Sequence, residues 1–204
     1  MTTIDVVDYG AGNLASVTKA VAAVGATPRI VSTPDQITHS GAILIPGVGH
    51  FSATASLTPD WHRVIHARIN DGAAVLGICL GMQWLFEGSD EAPDVPGLGI
   101  FTGRCFRLSG ASIKVPHVGW NSLDRTDAPT QLLATAPTGA YAYFTHTFAT
   151  PCGSETTAST RHGVLFASVV ERGRVCGAQW HPEKSGDVGL AVLGAFVRLA
   201  EGSR

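Results

Sequence analysis

The sequence predicts an α/β fold in three layers: a mostly parallel central sheet, flanking helices, and antiparallel strands added in the second half. Three observations carry this expectation. Short runs that are largely or wholly apolar (IDVVD at 4–8, AILI at 42–45, AAVLGI at 73–78) read as buried strands. Segments with apolar residues at helical spacing alternate with them. Between residues 100 and 180, several β-rich runs are divided by turns.

The elements follow in order. After IDVVD, the stretch YGAGN turns the chain. LASVTKAVAAVG, 14–25, reads as a helix closed by Gly25 as C-cap. PRIV, 28–31, is a second strand. AILI runs into the glycine-rich loop PGVG, 46–49. DWHRVIHARIND, 60–71, is an amphipathic helix with Asp60 as its N-cap. AAVLGI is the next strand, and a helix follows Cys79. EGSDEAPDVPGLG, 87–99, reads as a loop. IFTGRCFRL, AYAYFTHTF, VLFASVVERG and RVCGAQW are expected as antiparallel strands joined to the first sheet. TPCGSETTASTRHG, 150–163, reads as a surface hairpin or loop, and DVGLAVLGAFVRLAEG, 187–202, as a closing helix. No repeat and no long linker divides the chain, so residues 1–204 are expected as one domain.

The bulk composition narrows the function classes. A chain of 204 residues with 45% hydrophobic and 15% charged side chains can build its core without disulfides or metals. A net charge of −2 offers no electrostatic case for nucleic acid or an anionic membrane. The start, MTTIDVVDYGAGN, does not read as a signal peptide, and the apolar stretch around Cys79 is too short to span a bilayer. Cys79, Cys105, Cys152 and Cys176 lie far apart with no C-x-x-C. Reduced thiols in a cytoplasmic setting are expected, with no zinc site. Cys105, Cys152 and Cys176 read as packing or surface thiols.

The chemistry centres on GICLG, which places Cys79 between Gly77 and Gly81 at a strand-to-helix junction. The same arrangement with serine is a nucleophile elbow. The competing reading is a small buried hydrophobe. A nucleophile needs a base, and His181 follows the apolar strand VCGAQW in the segment HPEKS. In extended chain, Glu183 projects to the same side and can orient the imidazole. Both Cys79 and His181 end apolar strands, and carboxyl ends share one edge of a parallel sheet. His39, His62, His66 and His162 read as surface residues. His62 and His66 have a metal-like spacing, but no third ligand accompanies them. An amide of the PGVG loop together with that of Leu80 can form an oxyanion hole. GVGHF does not complete a dinucleotide fingerprint.

GICLGMQ, HPEKS and PGVG together resemble the class I (triad) glutamine amidotransferase family. VVDYGAGNLASVTKA, LIPGVGHF, KVPHVGWN, YFTHTF and AQWHPEKSGDVGL are similar to the glutaminase subunits of imidazole glycerol phosphate synthases, over residues 6 to 190. Val48 stands where the related glutaminases of pyridoxal phosphate synthase carry a second glycine. Ala11, Val118 and Trp180 depart from the family's pattern without removing a reactive group. The resemblance implies glutamine hydrolysis by a Cys79–His181–Glu183 triad, with amides at Val48 and Leu80 holding the oxyanion. It places Gly47, Gly49, Gln83, His146 and Thr147 around L-glutamine. It implies a (β/α)₈-barrel cyclase partner in a heterodimer, with Asn13, Trp120 and Lys184 near the interface, and no cofactor or metal. The alternatives are a stand-alone cysteine hydrolase and a non-catalytic subunit on the same fold.

Overall fold

The computed structural model describes residues 1–37 and 41–202; His39 lies outside the described residues. The helices are α1 (Leu14–Ala23), α2 (Pro59–Asn70), α3 (Leu80–Trp84) and α4 (Gly186–Glu201). The strands of the first half are β1 (Thr3–Val7), β2 (Thr27–Val31), β3 (Ala42–Ile45), β4 (Ala74–Ile78), β5 (Gly88–Ser89) and β6 (Ala92–Pro96). Next come β7 (Arg104–Arg107), β8 (His117–Ser122), β9 (Asp124–Arg125) and β10 (Tyr141–His146). The last are β11 (Phe148–Ala149), β12 (Thr156–His162), β13 (Val164–Arg172) and β14 (Val175–Ala178).

The main sheet has the order β2-β1-β3-β4-β14-β13-β12-β9. Its first five strands are parallel, and β13, β12 and β9 continue it antiparallel. Alternation along the central strands sorts side chains to two faces. Leu44, Leu76 and Ile78 pack with Val17 and Val21 of α1 and Val192 and Phe196 of α4. Ile43, Ile45 and Val75 pack with Trp61 and Ile65 of α2 and with Met82 and Trp84 of α3. That is the expected three-layer α/β architecture, and it explains why β3 and β4 are apolar at every position but Gly77.

Several local expectations are corrected. Thr58, not Asp60, precedes α2; Pro59 takes the first helical position, where its fixed φ suits the helix, and Asp60 sits in the first turn. Val24 caps α1, and Gly25 lies one residue beyond with φ +84°. The stretch 87–99 holds β5 and β6, part of a separate sheet β11-β7-β5-β6. β10 pairs with β8 in its own ribbon instead of joining the main sheet. β14 runs parallel to β4 because, buried at all four positions, it fills the gap between β4 and β13. Of the hairpin or loop expected at 150–163, residues 156–162 are one arm of a hairpin, β12 paired with β13, and most of them are buried and not on the surface. Their threonines look polar, yet Thr157 and Thr160 are buried with their hydroxyls bonded to the Glu171 carboxylate and the Ser122 carbonyl.

Candidate active site

The parallel pairing of Ile78 with Ala178 brings the ends of β4 and β14 side by side. Cys79 leaves the first and His181 the second, so both emerge at one sheet edge, as expected. Cys79 has φ +52° and ψ −106°, in the region L-residues avoid. Only dense surroundings hold a side chain there. A Cβ on Gly81 would lie 1.9 Å from the Ile45 carbonyl oxygen, and one on Gly77 would lie 2.7 Å from the Gly81 carbonyl. The two glycines let β3, β4 and α3 close around the turn.

Cys79 is buried, and its sulfur lies 3.9 Å from the Thr145 carbonyl. Gln179 Nε2 donates to it at 3.7 Å. Gln179 escaped the sequence reading: a buried glutamine at a strand end looks like an ordinary sheet residue. His181 is 1% exposed. Its Nδ1 meets Glu183 Oε1 at 2.8 Å, and its backbone N–H donates to the Tyr143 carbonyl at 3.0 Å. Ser185 Oγ donates to the His181 carbonyl at 2.7 Å. His181 itself is extended, but Pro182–Lys184 form a single 3₁₀ turn, so a tight turn and not continued strand brings Glu183 to the ring.

His181 Nε2 is buried without a hydrogen-bond partner of good geometry among the described residues. Cys79 nevertheless acts on the ring. Burial pushes the imidazole pKa down, but the charge of the adjoining Cys79 sulfur and the bonded Glu183 carboxylate outweigh burial and lift the pKa to about 10.

Cys79 opens onto a cleft of about 440 Å³. Of the residues expected around glutamine, Gly49, Gln83, His146 and Thr147 line it, together with Val48, Leu80 and Lys184. Gly47 does not; it packs beneath the loop against Tyr9 and Leu80. The cleft also takes in His50 and Glu91, which motif reasoning missed. Glu91 sits in the stretch read as a loop, and its Oε2 accepts from the Phe51 N–H at 2.8 Å. Gln83 Nε2 donates to the Phe148 carbonyl at 2.8 Å and to Gln179 Oε1 at 3.3 Å, leaving Oε1 as the acceptor.

Of the two amides expected to hold an oxyanion, that of Leu80 is engaged. The Leu80 N–H already donates to the Gly47 carbonyl at 3.4 Å. The carbonyl of the Gly47–Val48 peptide thus holds the Leu80 N–H, since a buried amide takes an acceptor within reach.

Behind the cleft runs a chain of hydrogen bonds. Asn121 Nδ2 lies 3.3 Å from His117 Nε2, His117 Nδ1 lies 3.0 Å from His146 Nε2, and His146 Nδ1 lies 2.9 Å from the Phe148 carbonyl. A carbonyl only accepts, which fixes the proton on each Nδ1. Burial, with the neighbouring His162, lowers His117 to about 4; burial chiefly lowers His146 to about 3. In the unfolded chain each titrates near 6.5. Below that pH the unfolded chain binds protons that the folded chain refuses, so stability falls as pH drops from about 6.5 towards 4. His181 acts oppositely, keeping its contribution below 6.5 and losing it as pH rises towards about 10. The melting temperature is therefore expected to fall between pH 7 and pH 5. A flat profile would contradict this.

The three expected interface residues differ in setting. Trp120 is 56% exposed on β8 and stands edge-on to Tyr143, and Lys184 Nζ lies 5.8 Å from the centre of the same Tyr143 ring. These form one patch continuous with the cleft. Asn13 is instead the N-cap of α1, its Oδ1 accepting from the Ser16 N–H. His62 packs edge-on to Trp84, and His66 Nε2 bonds the Leu98 carbonyl. Among the described residues no cluster of His, Cys, Asp and Glu is arranged for a metal, and no helix is long and apolar enough to cross a membrane.

Known proteins resemble this chain over nearly its whole length. The family model for glutamine amidotransferase class-I matches residues 5–197. The chain is 43% identical over 199 residues to the imidazole glycerol phosphate synthase subunit HisH of Deinococcus radiodurans, covering 94% of this chain and 91% of that one. It is 44% identical to the HisH subunit of Thermococcus kodakarensis, over 96% of this chain and 100% of that one. The HisH subunit of Bacillus subtilis is 40% identical, with 97% and 96% covered. Among solved structures, a glutamine amidotransferase superposes with a TM-score of 0.74 at 19% identity, over 97% of this chain and 98% of that one. PurLQS from Thermotoga maritima gives 0.73 at 20%, with the same coverage. At such identities these structures speak for the fold, while the family match and the HisH relatives speak for descent. The chain belongs to the class-I glutamine amidotransferase family.

Proposed function

We propose that this chain is the glutaminase subunit of an imidazole glycerol phosphate synthase. The observation that carries the reading is Cys79, held in a strained strand-to-helix turn at the floor of a cleft and beside the His181–Glu183 pair. The Cys79 thiolate attacks the side-chain carboxamide carbon of L-glutamine, forming a tetrahedral oxyanion. His181, charged beside the Cys79 thiolate and held by Glu183, gives its Nε2 proton to the departing ammonia. The thioester remains until His181 takes a proton from a water molecule and the water oxygen attacks the carbonyl carbon, after which the C–S bond breaks. Glutamate then leaves and the thiolate is restored.

Gln83 Oε1 and the Glu91 carboxylate are the cleft's acceptors for the α-ammonium of glutamine, with Gly49, His146 and Thr147 shaping the pocket. The oxyanion rests on the N–H groups of Val48 and Leu80. For that, the Gly47–Val48 peptide must rotate, taking the Gly47 carbonyl off Leu80 and turning the Val48 N–H inward. One rotation thus frees one donor and delivers the second. Losing a single such donor costs about 3 to 4 kcal/mol in the barrier.

Ammonia is of use only if it is captured before it is protonated and lost. The reading therefore includes a cyclase partner of (β/α)₈ form that receives it and closes an imidazole ring in histidine biosynthesis. The exposed Val118, Trp120 and Tyr141 lie on one face of the β8–β10 ribbon, and Thr145 on that ribbon lines the cleft. A partner seated there would cover the mouth of the site. The occupied Leu80 N–H supports a resting state of low activity. Glutamate release is expected to be slow for the chain alone and to rise roughly 10²-fold or more when the cyclase and its nucleotide ligand are added, the scale of one oxyanion donor. Equal rates with and without the partner would count against partner dependence. No release in either condition would refute the glutaminase reading.

A further inference from the structure

We infer that Tyr9 is a positioning residue for the oxyanion loop: its hydroxyl accepts no role in the resting conformation because it is placed to donate to the Gly47 carbonyl once the Gly47–Val48 peptide has rotated. This deepens, and rests on, the glutaminase reading above.

Tyr9 follows β1 and is 8% exposed. Its hydroxyl is buried and has no hydrogen-bond partner among the described residues. A buried phenol normally finds one, since leaving a polar group unpaired is costly. The position of this hydroxyl explains the anomaly. It is the nearest atom to the place where a Cβ on Gly47 would sit, at 2.3 Å, ahead of Leu80 Cβ at 2.7 Å and the Gly81 N–H nitrogen at 3.0 Å. Tyr9 therefore presses directly on the Cα about which the oxyanion peptide pivots, and only glycine leaves room for it.

In the resting arrangement the Gly47 carbonyl is bonded to Leu80, at a long 3.4 Å. Rotation breaks that bond, and a carbonyl turned into a buried space needs another donor. The unpaired phenol is the donor beside it. Burial, and the charge of Cys79, keep the phenol far above its ordinary pKa of 10.0, so it retains its proton at working pH. The hydroxyl is thus unsatisfied in the resting conformation and satisfied in the active one. It biases the loop towards activity at the expense of resting stability.

The test is Tyr9→Phe, which removes only the hydroxyl, studied in the complex with the cyclase. Glutamine turnover is expected to fall on the order of tenfold in kcat, the scale of one hydrogen bond, with KM close to wild type. Alkylation of Cys79 by iodoacetamide should proceed at the wild-type rate, and ammonia-driven synthesis should be unchanged. The melting temperature should rise, because an unpaired buried hydroxyl has been removed. A purely structural tyrosine predicts the reverse, a lower melting temperature with unchanged kcat. Wild-type kcat in the variant overturns the role of the hydroxyl and leaves the glutaminase reading intact. Absence of glutamate release from the wild-type complex overturns both.

Discussion

Replacing Cys79 with alanine is expected to abolish glutamine-driven synthesis, by roughly 10⁴-fold or more, while synthesis from free ammonia continues at the wild-type rate. The scale is that of removing a nucleophile from a working triad, where the remaining members cannot substitute for it. The split between the two nitrogen sources is the informative part. The cyclase needs ammonia but not the thiol, so an intact complex must still use ammonia when it is provided in solution. The alanine Cβ occupies space the cysteine already fills, and the sulfur's neighbours, the Thr145 carbonyl and the Gln179 amide, are long contacts. Folding should survive. Loss of both activities would mean the variant had disrupted the complex; retention of glutamine use would displace Cys79 from the nucleophile's role.

The second large effect is on stability. Gly81→Ala would set a Cβ 1.9 Å from the Ile45 carbonyl oxygen, a backbone atom at the end of β3 that cannot swing aside. Relief requires β3 and α3 to separate, which opens the packing of Ile45 and Met82 in one of the two cores. A loss of about 4 kcal/mol or more is expected, among the largest a single substitution produces. Gly194→Ala is the matching control. Gly194 lies within α4, and its Cβ would meet only the end of Arg198, at 3.5 Å. That substitution should stabilise the chain by roughly 1 kcal/mol, because alanine is the better helix former. Chemical denaturation of both variants checks the contrast; a mild Gly81→Ala would mean the turn is looser than its geometry implies.

How far the sequence anticipates this structure depends on what each signal reports. Strands buried on both faces announce themselves through composition, so AILI and AAVLGI were legible, and with them the three layers. Two glycines flanking one cysteine mark a steric need, and Gly77 and Gly81 fulfil it. The histidine–proline–glutamate segment announced the base and its orienter, although the route between them is a turn and not a strand. Signals that depend on distant partners were not legible. Thr157 and Thr160 look solvent-facing until Glu171 and Ser122 supply their hydrogen-bond partners. Gln179 and Glu91 belong to no local pattern, and only the folded chain brings one to the sulfur and the other to the cleft. The state of the oxyanion loop depends on which carbonyl the Leu80 N–H meets, and no residue type encodes that.

The central claim is that one sulfur, set beside its own histidine, reacts with glutamine. An electrophilic analogue of glutamine, followed by intact mass and peptide mapping, tests it most directly. The chain carries four free thiols, of which Cys105 and Cys176 are buried and Cys152 is exposed. The account predicts a single adduct, on Cys79, slowed by excess glutamine and greatly slowed when His181 is replaced by asparagine. An adduct on Cys152 with Cys79 unmodified, or labelling of Cys79 indifferent to glutamine, would contradict it.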